Sequence, residues 1–149
     1  ELKQGSNYKT IVVDLVEDVY EYCRLYCYEK LGIEHESDNS FKAYDYVRNE
    51  FLNVMKSLVN LNYNIVLISH EDTSKDITKR SGDKITAIKP NITEKLANKL
   101  AGMVDLVGRV TNRQLSFYSD EVVFGGGRIK LNKTEIPLNF NALIELYKG

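Results

Sequence analysis

The chain has 149 residues, of which 43% are hydrophobic and 28% are charged, and this length and composition predict a single domain over residues 1–149. A net charge of −1 gives no global field that would attract nucleic acid or an anionic membrane, so any contact with a polyanion must come from a local patch. No apolar run approaches the roughly 20 residues of a membrane span, and the amino terminus lacks a secretory signal. We therefore expect a cytoplasmic protein with no membrane partner.

The first predicted element is a strand at Thr10–Asp14, where four apolar or β-branched residues run into an acid. A short run of this kind, bounded by polar residues, predicts a strand buried on both faces. Its acid then lies at the carboxyl end of a parallel strand, the edge where open α/β sheets place their ligands. This is the pattern of a Walker B strand, whose carboxylate holds Mg²⁺ against nucleotide phosphates. The simpler interpretation of Asp14 is a helix N-cap.

Two helices and a second strand are predicted next. Apolar residues at spacings of three and four indicate a helix from Leu15 to Leu31 and a longer one from Phe41 to Leu61. The second helix leads into a strand at Asn64–Ser69. Strand, helices and strand in this order imply a right-handed parallel connection, so the polar tip that contains His70 is expected at the same sheet edge as Asp14.

The two cysteines, Cys23 and Cys27, are four residues apart within the first predicted helix, which Gly32 should end. This spacing places both thiols on one helix face. The sequence has only two histidines, His35 and His70, and both are distant from the cysteines along the chain. Buried, reduced thiols are therefore favoured over a metal site.

The least regular stretch runs from Glu71 to Asn91 and has few apolar residues. Its composition predicts a mobile loop. Such a loop is either a solvated connection or a basic segment that contacts nucleic-acid phosphates near the sheet edge. The basic residues in it are Lys75, Lys79, Arg80, Lys84 and Lys89.

The remaining elements follow in a simple order. A helix of about three turns is predicted from Ile92 to Met103, and Asp105–Val110 is interpreted as a third core strand. Clusters of β-forming residues at Gln114–Tyr118 and Glu121–Phe124 predict antiparallel strands at the end of the sheet. A short helix with apolar residues from Phe140 to Tyr147 closes the chain.

No Gly-x-x-x-x-Gly-Lys-Ser/Thr motif occurs in the sequence. The run Gly125–Gly127 is followed by Arg128, without the lysine, the hydroxyl residue and the helix that a phosphate loop requires. If Asp14 is a Walker B acid, we expect the phosphate loop upstream in a longer parent protein. The chain alone should then bind ATP poorly or not at all.

These elements together resemble the phage nucleotide-binding proteins of RecA-like fold, a group that includes the Sak-type single-strand annealing proteins. The resemblance covers nearly the whole chain and rests chiefly on Thr10–Asp14, Ile65–His70 and Val104–Gly108. It implies a three-layer α/β fold with a RecA-like (P-loop NTPase) sheet, mainly parallel, with antiparallel strands at the carboxyl-terminal end and incomplete at the amino terminus. It also implies DNA recombination or single-strand annealing in a bacterial or phage-infected cell, with ATP and Mg²⁺ as cofactors of the longer parent.

The resemblance assigns roles to individual residues. Asp14 would be the Walker B acid that positions Mg²⁺, and His70 would be the catalytic-site residue that senses the γ-phosphate and relays its presence to the adjoining loop. Arg128 and Lys130 would present positive charge to the nucleotide of a neighbouring subunit in a homo-oligomer. The mobile loop that binds single-stranded DNA would correspond to the segment with Lys75, Lys79, Arg80 and Lys84.

Two other classes are compatible with the sequence. A non-enzymatic module would use the same fold only as a DNA-binding or oligomerisation surface. A metal-dependent phosphohydrolase or nuclease would need clustered carboxylates at one sheet edge. Two of those acids lie in the first turn of a predicted helix, where acids commonly complement the helix dipole. The candidates for this cluster are Asp14, Glu17, Asp18, Glu71 and Asp72.

Overall fold

A computed structural model describes residues 2–120 and 122–148. Contacts divide the chain into two compact units. The first unit comprises Glu1–His70 and Asn91–Leu96, and the second comprises Glu71–Pro90 and Ala97–Gly149. Two lobes of one domain would divide in this way, and so would two separate domains. The single domain therefore stays a prediction.

The first unit is built around a pair of parallel strands, β1 (Thr10–Asp14) and β2 (Asn64–Ile68). Their register confirms that the first two strands share a parallel sheet. Exposure alternates along both strands, and Val12 is 55% exposed while Val66, its register partner, is 40% exposed. The prediction that the first strand is buried on both faces is therefore wrong. A continuous apolar run gives two buried faces only where elements pack against both sides.

Most of the remaining residues of this unit form two helices, α1 (Val16–Leu31) and α2 (Ser40–Val59). The periodicity located both ends of each helix to within two residues. As predicted, Gly32 ends α1, and it does so in the left-handed conformation with φ of 63°. Short 3-10 helices occur at Leu2–Gln4 and Glu36–Asn39.

The core of the first unit lies where α1 meets α2. Cys27 and Val47 are fully buried there, and the rings of Phe51 and Tyr20 form a T-shaped pair at a centroid distance of 5.2 Å. Cys23 packs against this cluster, and both thiols are free. Burial, aided by the neighbouring Cys27, raises the pKa of Cys23 to about 12, so its thiol stays protonated. The predicted burial holds for Cys27, whereas Cys23 is only partly buried.

The second unit begins with a two-stranded antiparallel ribbon, residues 71–90, where an irregular loop was predicted. The hydrogen bond from the Ala87 amide to the Lys75 carbonyl, at 2.7 Å, links its two strand pairs. The turn is closed by the Lys79 amide, which donates to the Asp83 carbonyl at 2.8 Å. The outer pair is β3 (Glu71–Asp72) with β6 (Lys89–Pro90), and the inner pair is β4 (Asp76–Thr78) with β5 (Lys84–Thr86).

The predicted third core strand is divided in two, and neither half joins the parallel pair of the first unit within the described ranges. Its first half pairs antiparallel with Gly126–Gly127. Its second half turns back at Asn112 and Arg113, whose φ angles of 49° and 60° suit a tight hairpin turn. The strands are β7 (Leu106–Val107), β8 (Arg109–Thr111), β9 (Gln114–Ser116), β10 (Gly126–Gly127) and β11 (Glu135–Pro137).

Two helices accompany these strands. The helix α3 (Glu94–Ala101) passes from the first unit into the second, and α4 (Phe140–Tyr147) is the predicted closing helix. Asn139 caps α4 by accepting a hydrogen bond from the Ala142 amide at 2.8 Å. In the part of the chain that the structure describes, no helix has the length and apolar character needed to cross a membrane.

The glycine run serves close backbone packing in the second unit. A Cβ atom on Gly127 would lie 2.3 Å from the Asp105 carbonyl oxygen, and one on Gly125 would lie 2.5 Å from the Tyr118 carbonyl oxygen. Only glycine permits such approaches. Close backbone packing thus accounts for Gly125 and Gly127, and the φ of 112° accounts for Gly126.

Candidate functional site

The carboxyl ends of β1 and β2 form one edge of the first unit. The register pairs Asp14 with Ile68, so Asp14 and His70, which follows two residues later, lie at the same end of the strand pair. Both side chains belong to exposed residues, and the His70 side chain is 68% exposed. The strand pair therefore presents an acid and an imidazole to solvent at the edge where α/β proteins bind ligands.

A third residue, Glu17 in the first turn of α1, joins the two elements at this edge. Its Oε1 atom accepts a hydrogen bond from the backbone amide of His70 at 3.0 Å and lies 2.9 Å from the ring nitrogen Nδ1 of the same residue. The Glu17 side chain is only 15% exposed. Its second oxygen, Oε2, is buried and has no hydrogen-bond partner among the described residues.

Two opposing effects act on the pKa of Glu17. Burial favours the neutral carboxyl and on its own would raise the pKa. The hydrogen bond that Oε1 accepts from the backbone amide of His70, together with its contact to the ring of that residue, favours the carboxylate. The hydrogen bonds prevail, and the pKa of Glu17 lies below its ordinary value of 4.5.

This lowered pKa predicts how the stability of the chain depends on pH. A carboxyl whose pKa is lower in the folded state stabilises that state above its unfolded pKa, and this contribution is lost as the pH falls through the folded value. Replacing Glu17 by Gln should therefore destabilise the chain most above about pH 5, and the difference from the wild type should shrink as the pH falls through the lowered pKa of Glu17. Urea unfolding of both proteins at several pH values measures this, and a difference that is constant with pH would contradict it.

The carboxylate cluster that a metal-dependent phosphohydrolase or nuclease would need is not formed by the described residues. Glu71 instead accepts two hydrogen bonds from the guanidinium of Arg109, at 2.5 and 3.1 Å. Asp72 accepts from Ser74 and forms an ion pair with Lys75 at 3.4 Å. This alternative therefore lacks the arrangement that would support it.

The basic residues of the ribbon are distributed from its base to its turn. Lys75 is close to the base and is paired with Asp72, whereas Lys79 and Arg80 lie at the turn that closes the ribbon. Lys84 is the first residue of β5 and is exposed. Three of the four predicted contacts with DNA thus lie within six residues of one another at the turn.

Arg128 and Lys130, the residues predicted to face a neighbouring nucleotide, both lie in the second unit. The Arg128 guanidinium donates to the carbonyls of Met103 and Val104 at 3.1 Å and to the Asp105 carboxylate at 3.2 Å. Lys130 lines an open depression with Leu131, Asn132, Glu145 and Leu146. Arg128 thus supports the segment after α3, and a role of either residue towards a nucleotide stays a prediction.

Sequence reasoning assigned Glu17 to the helix dipole or to a metal cluster and missed its contact with His70. The sequence did contain a signal that Glu17 lies near this sheet edge, since Glu17 follows Asp14 by only three residues. One helical turn beyond the end of a strand keeps a side chain near the sheet edge, where the next parallel strand also ends.

Comparison with protein families matches residues 2–131 to an AAA domain. The chain belongs to this AAA domain family. The match makes it a nucleotide-binding, ATPase-like module, and AAA ATPase-like domains generally bind ATP and Mg²⁺. Comparisons of this AAA domain with curated proteins and with solved structures found no match. Its mixture of helices and small sheets is compatible with a P-loop fold.

Proposed function

We propose that this AAA domain is the portion, from the Walker B strand onward, of a phage-type ATP-binding protein that acts in DNA recombination or single-strand annealing. One observation carries the proposal: in a chain of the AAA domain family, the parallel register brings Asp14 and His70 to the same sheet edge. Chemistry on a nucleoside triphosphate needs an acid for the metal and a polar contact for the γ-phosphate, and this edge offers one of each.

Asp14 is the residue that would hold Mg²⁺. It is an exposed carboxylate at a strand end, and Mg²⁺ is commonly bound by one or two carboxylates together with water and substrate phosphates. The donor set therefore fits the ion, provided that the phosphates supply the other ligands. The sequence offers no phosphate-loop amides or lysine to hold those phosphates, so tight binding requires a segment that this sequence does not contain.

His70 is the residue proposed to sense the γ-phosphate. Its ring is exposed, as a contact with a ligand requires, and it is not packed among apolar side chains. The next residue, Glu71, begins the ribbon, and its carboxylate accepts two hydrogen bonds from Arg109. A shift of His70 on nucleotide binding would thus act on the backbone at the first residue of the ribbon.

The ribbon is the proposed contact with single-stranded DNA. Its turn, residues 79–84, carries three basic residues and one acid, in contrast to the net charge of −1 of the whole chain. Lysine and arginine on an open turn suit contacts with phosphates rather than with base edges. Binding should be modest, because Asp72, Asp76 and Asp83 lie in the same ribbon.

Calorimetry with Mg-ATP tests the nucleotide part of the proposal. Without phosphate-loop amides and lysine, a triphosphate loses most of its hydrogen-bond donors and positive charge, so we expect no micromolar site on this chain. Mg-ADP should behave in the same way. A micromolar, saturable site for Mg-ATP would show that the sheet edge has been assigned to the wrong architecture.

The lack of a phosphate-loop motif favours a second candidate, a non-enzymatic DNA-binding or oligomerisation module. The two candidates differ in how nucleotide affects DNA binding. In a recombination ATPase, the affinity of the native full-length protein for single-stranded DNA changes with Mg-ATP. In a non-enzymatic module, the affinity is the same with and without nucleotide.

A further inference from the structure

Glu17 and His70, which are 53 residues apart in sequence, contact each other at two points. One carboxylate oxygen, Oε1, accepts a hydrogen bond from the backbone amide of His70 and also lies within hydrogen-bond distance of the ring nitrogen Nδ1 of His70. The acceptor is largely buried, whereas the ring is largely exposed. Glu17 thereby holds both the backbone and the orientation of an imidazole that faces solvent.

The chemistry of this contact determines which ring nitrogen carries the proton. An ionised carboxylate can only accept hydrogen bonds, so the ring nitrogen beside it must be the donor. In the neutral imidazole the proton is then on Nδ1, and Nε2 carries the lone pair. Nε2 is therefore the nitrogen that can face a ligand. If the ring takes up a second proton, Nε2 carries it and becomes an N–H donor.

We propose that Glu17 is a positioning residue that fixes His70 with its first proton on Nδ1 and directs Nε2 towards a ligand, where Nε2 donates a hydrogen bond to an anionic oxygen once it has taken a second proton from solvent. The inference rests on the proposed function for the identity of that ligand, a phosphate oxygen, but the tautomer itself does not depend on it. With the solvent proton on Nε2, the ring donates a hydrogen bond to the phosphate oxygen, and the ionised Glu17 carboxylate beside Nδ1 compensates the positive charge of the ring.

The tautomer can be measured by long-range ¹H–¹⁵N NMR correlation of the histidine rings in the ¹⁵N-labelled chain, at a pH where the ring shifts no longer change. The sequence has only two histidines, so the spectrum contains two ring systems, and His35→Gln identifies the signals of His70. Wild-type His70 should show a protonated Nδ1. Protonation mainly at Nε2 in the wild type would overturn the proposal without the need for any variant.

Two variants of Glu17 and one matched control then distinguish an effect of Glu17 on the tautomer of His70 from a general effect on the fold. Glu17→Ala removes the acceptor, and the major tautomer of His70 should change to the Nε2-protonated form. Glu17→Gln keeps an acceptor oxygen and should restore the Nδ1-protonated form. Asp18→Ala, on the same helix turn, should leave both histidines unchanged. If His70 keeps its Nδ1 proton in a folded Glu17→Ala protein, the proposal fails.

The proposed function is tested by a separate readout. When the native full-length protein is titrated with Mg-ATP, the Nε2 signal of His70 should move by more than it does with Mg-ADP. If the tautomer result holds but Nε2 does not respond to Mg-ATP, Glu17 is a positioning residue and the assignment of the nucleotide is wrong. If the tautomer result fails while Nε2 responds, only the role of Glu17 is wrong.

Discussion

Replacing Lys79, Arg80 and Lys84 together by alanine should weaken the binding of single-stranded DNA by about tenfold to a hundredfold near 0.1 M salt. Each phosphate contact on a single strand contributes about 0.7 to the slope of log affinity against log salt concentration, so the slope should fall by about 2. The three residues lie at the turn of the ribbon and at the start of β5. Fluorescence anisotropy with a labelled oligonucleotide at several salt concentrations measures both quantities.

A matched control removes the same amount of charge elsewhere. Lys56, Lys95 and Lys99 are exposed and lie on α2 and α3, so changing all three to alanine gives the same net charge as the ribbon variant. This control should keep most of the affinity, and both variants should melt close to the wild-type temperature. If the ribbon variant binds as tightly as the wild type, the ribbon is only a connection, and the DNA surface must be sought elsewhere, first around Arg109, Arg113 and Arg128.

Replacing Phe51 by alanine should lower the free energy of unfolding by about 3–5 kcal/mol, the usual cost of removing a buried phenyl ring. Phe51 is 1% exposed, and its ring meets Tyr20 edge-on in the core between α1 and α2. The alanine variant loses the apolar burial and the aromatic pair and leaves a cavity that close-packed helices fill only in part. Urea unfolding followed by circular dichroism measures the loss.

The same substitution at an exposed phenylalanine provides the control. Phe140 is 62% exposed at the start of α4, so Phe140→Ala should change the free energy of unfolding by about 0.5 kcal/mol or less. A loss below about 1 kcal/mol for Phe51→Ala would mean that the packing of α1 against α2 is not the core of the first unit.

The elements that could be predicted from the sequence are those whose pattern is local. Apolar spacing located α1 and α2, and the left-handed conformation needed after α1 explains why Gly32 ends it. Parallel pairing of β1 with β2 followed from the helices between them, because a parallel connection needs a crossover of this length. The same reasoning placed Asp14 and His70 at one sheet edge.

The elements that could not be predicted depend on pairing between distant residues. In the ribbon, Ile77 and Ile85 are the only pair of large apolar residues that face each other across β4 and β5, too few to show a strand pattern in a polar segment. The third strand looked continuous because Leu106, Val107 and Val110 are all β formers. Its division follows from partners that local propensity does not reveal, namely β10 for one half and β9 for the other.

The candidate site shows the same limit. Asp14 and His70 end apolar strands and were evident from the sequence, whereas the contact of Glu17 with His70 joins residues 53 positions apart. Helix-dipole stabilisation was a sufficient local explanation for an acid in the first turn of α1. Only the fold shows that this acid also accepts the amide of His70.

The central claim, that the edge formed by Asp14 and His70 faces a nucleotide, is tested most directly by mapping amide shifts in the ¹H–¹⁵N NMR spectrum. The chain is titrated with Mg-ATP into the millimolar range, beside an Asp14→Asn variant. We predict weak, unsaturated shifts that are concentrated at Asp14, Glu17 and His70 and are reduced by Asp14→Asn. Shifts confined to other residues, such as Lys130 and Glu145, with the signals of this edge unchanged, would contradict the claim.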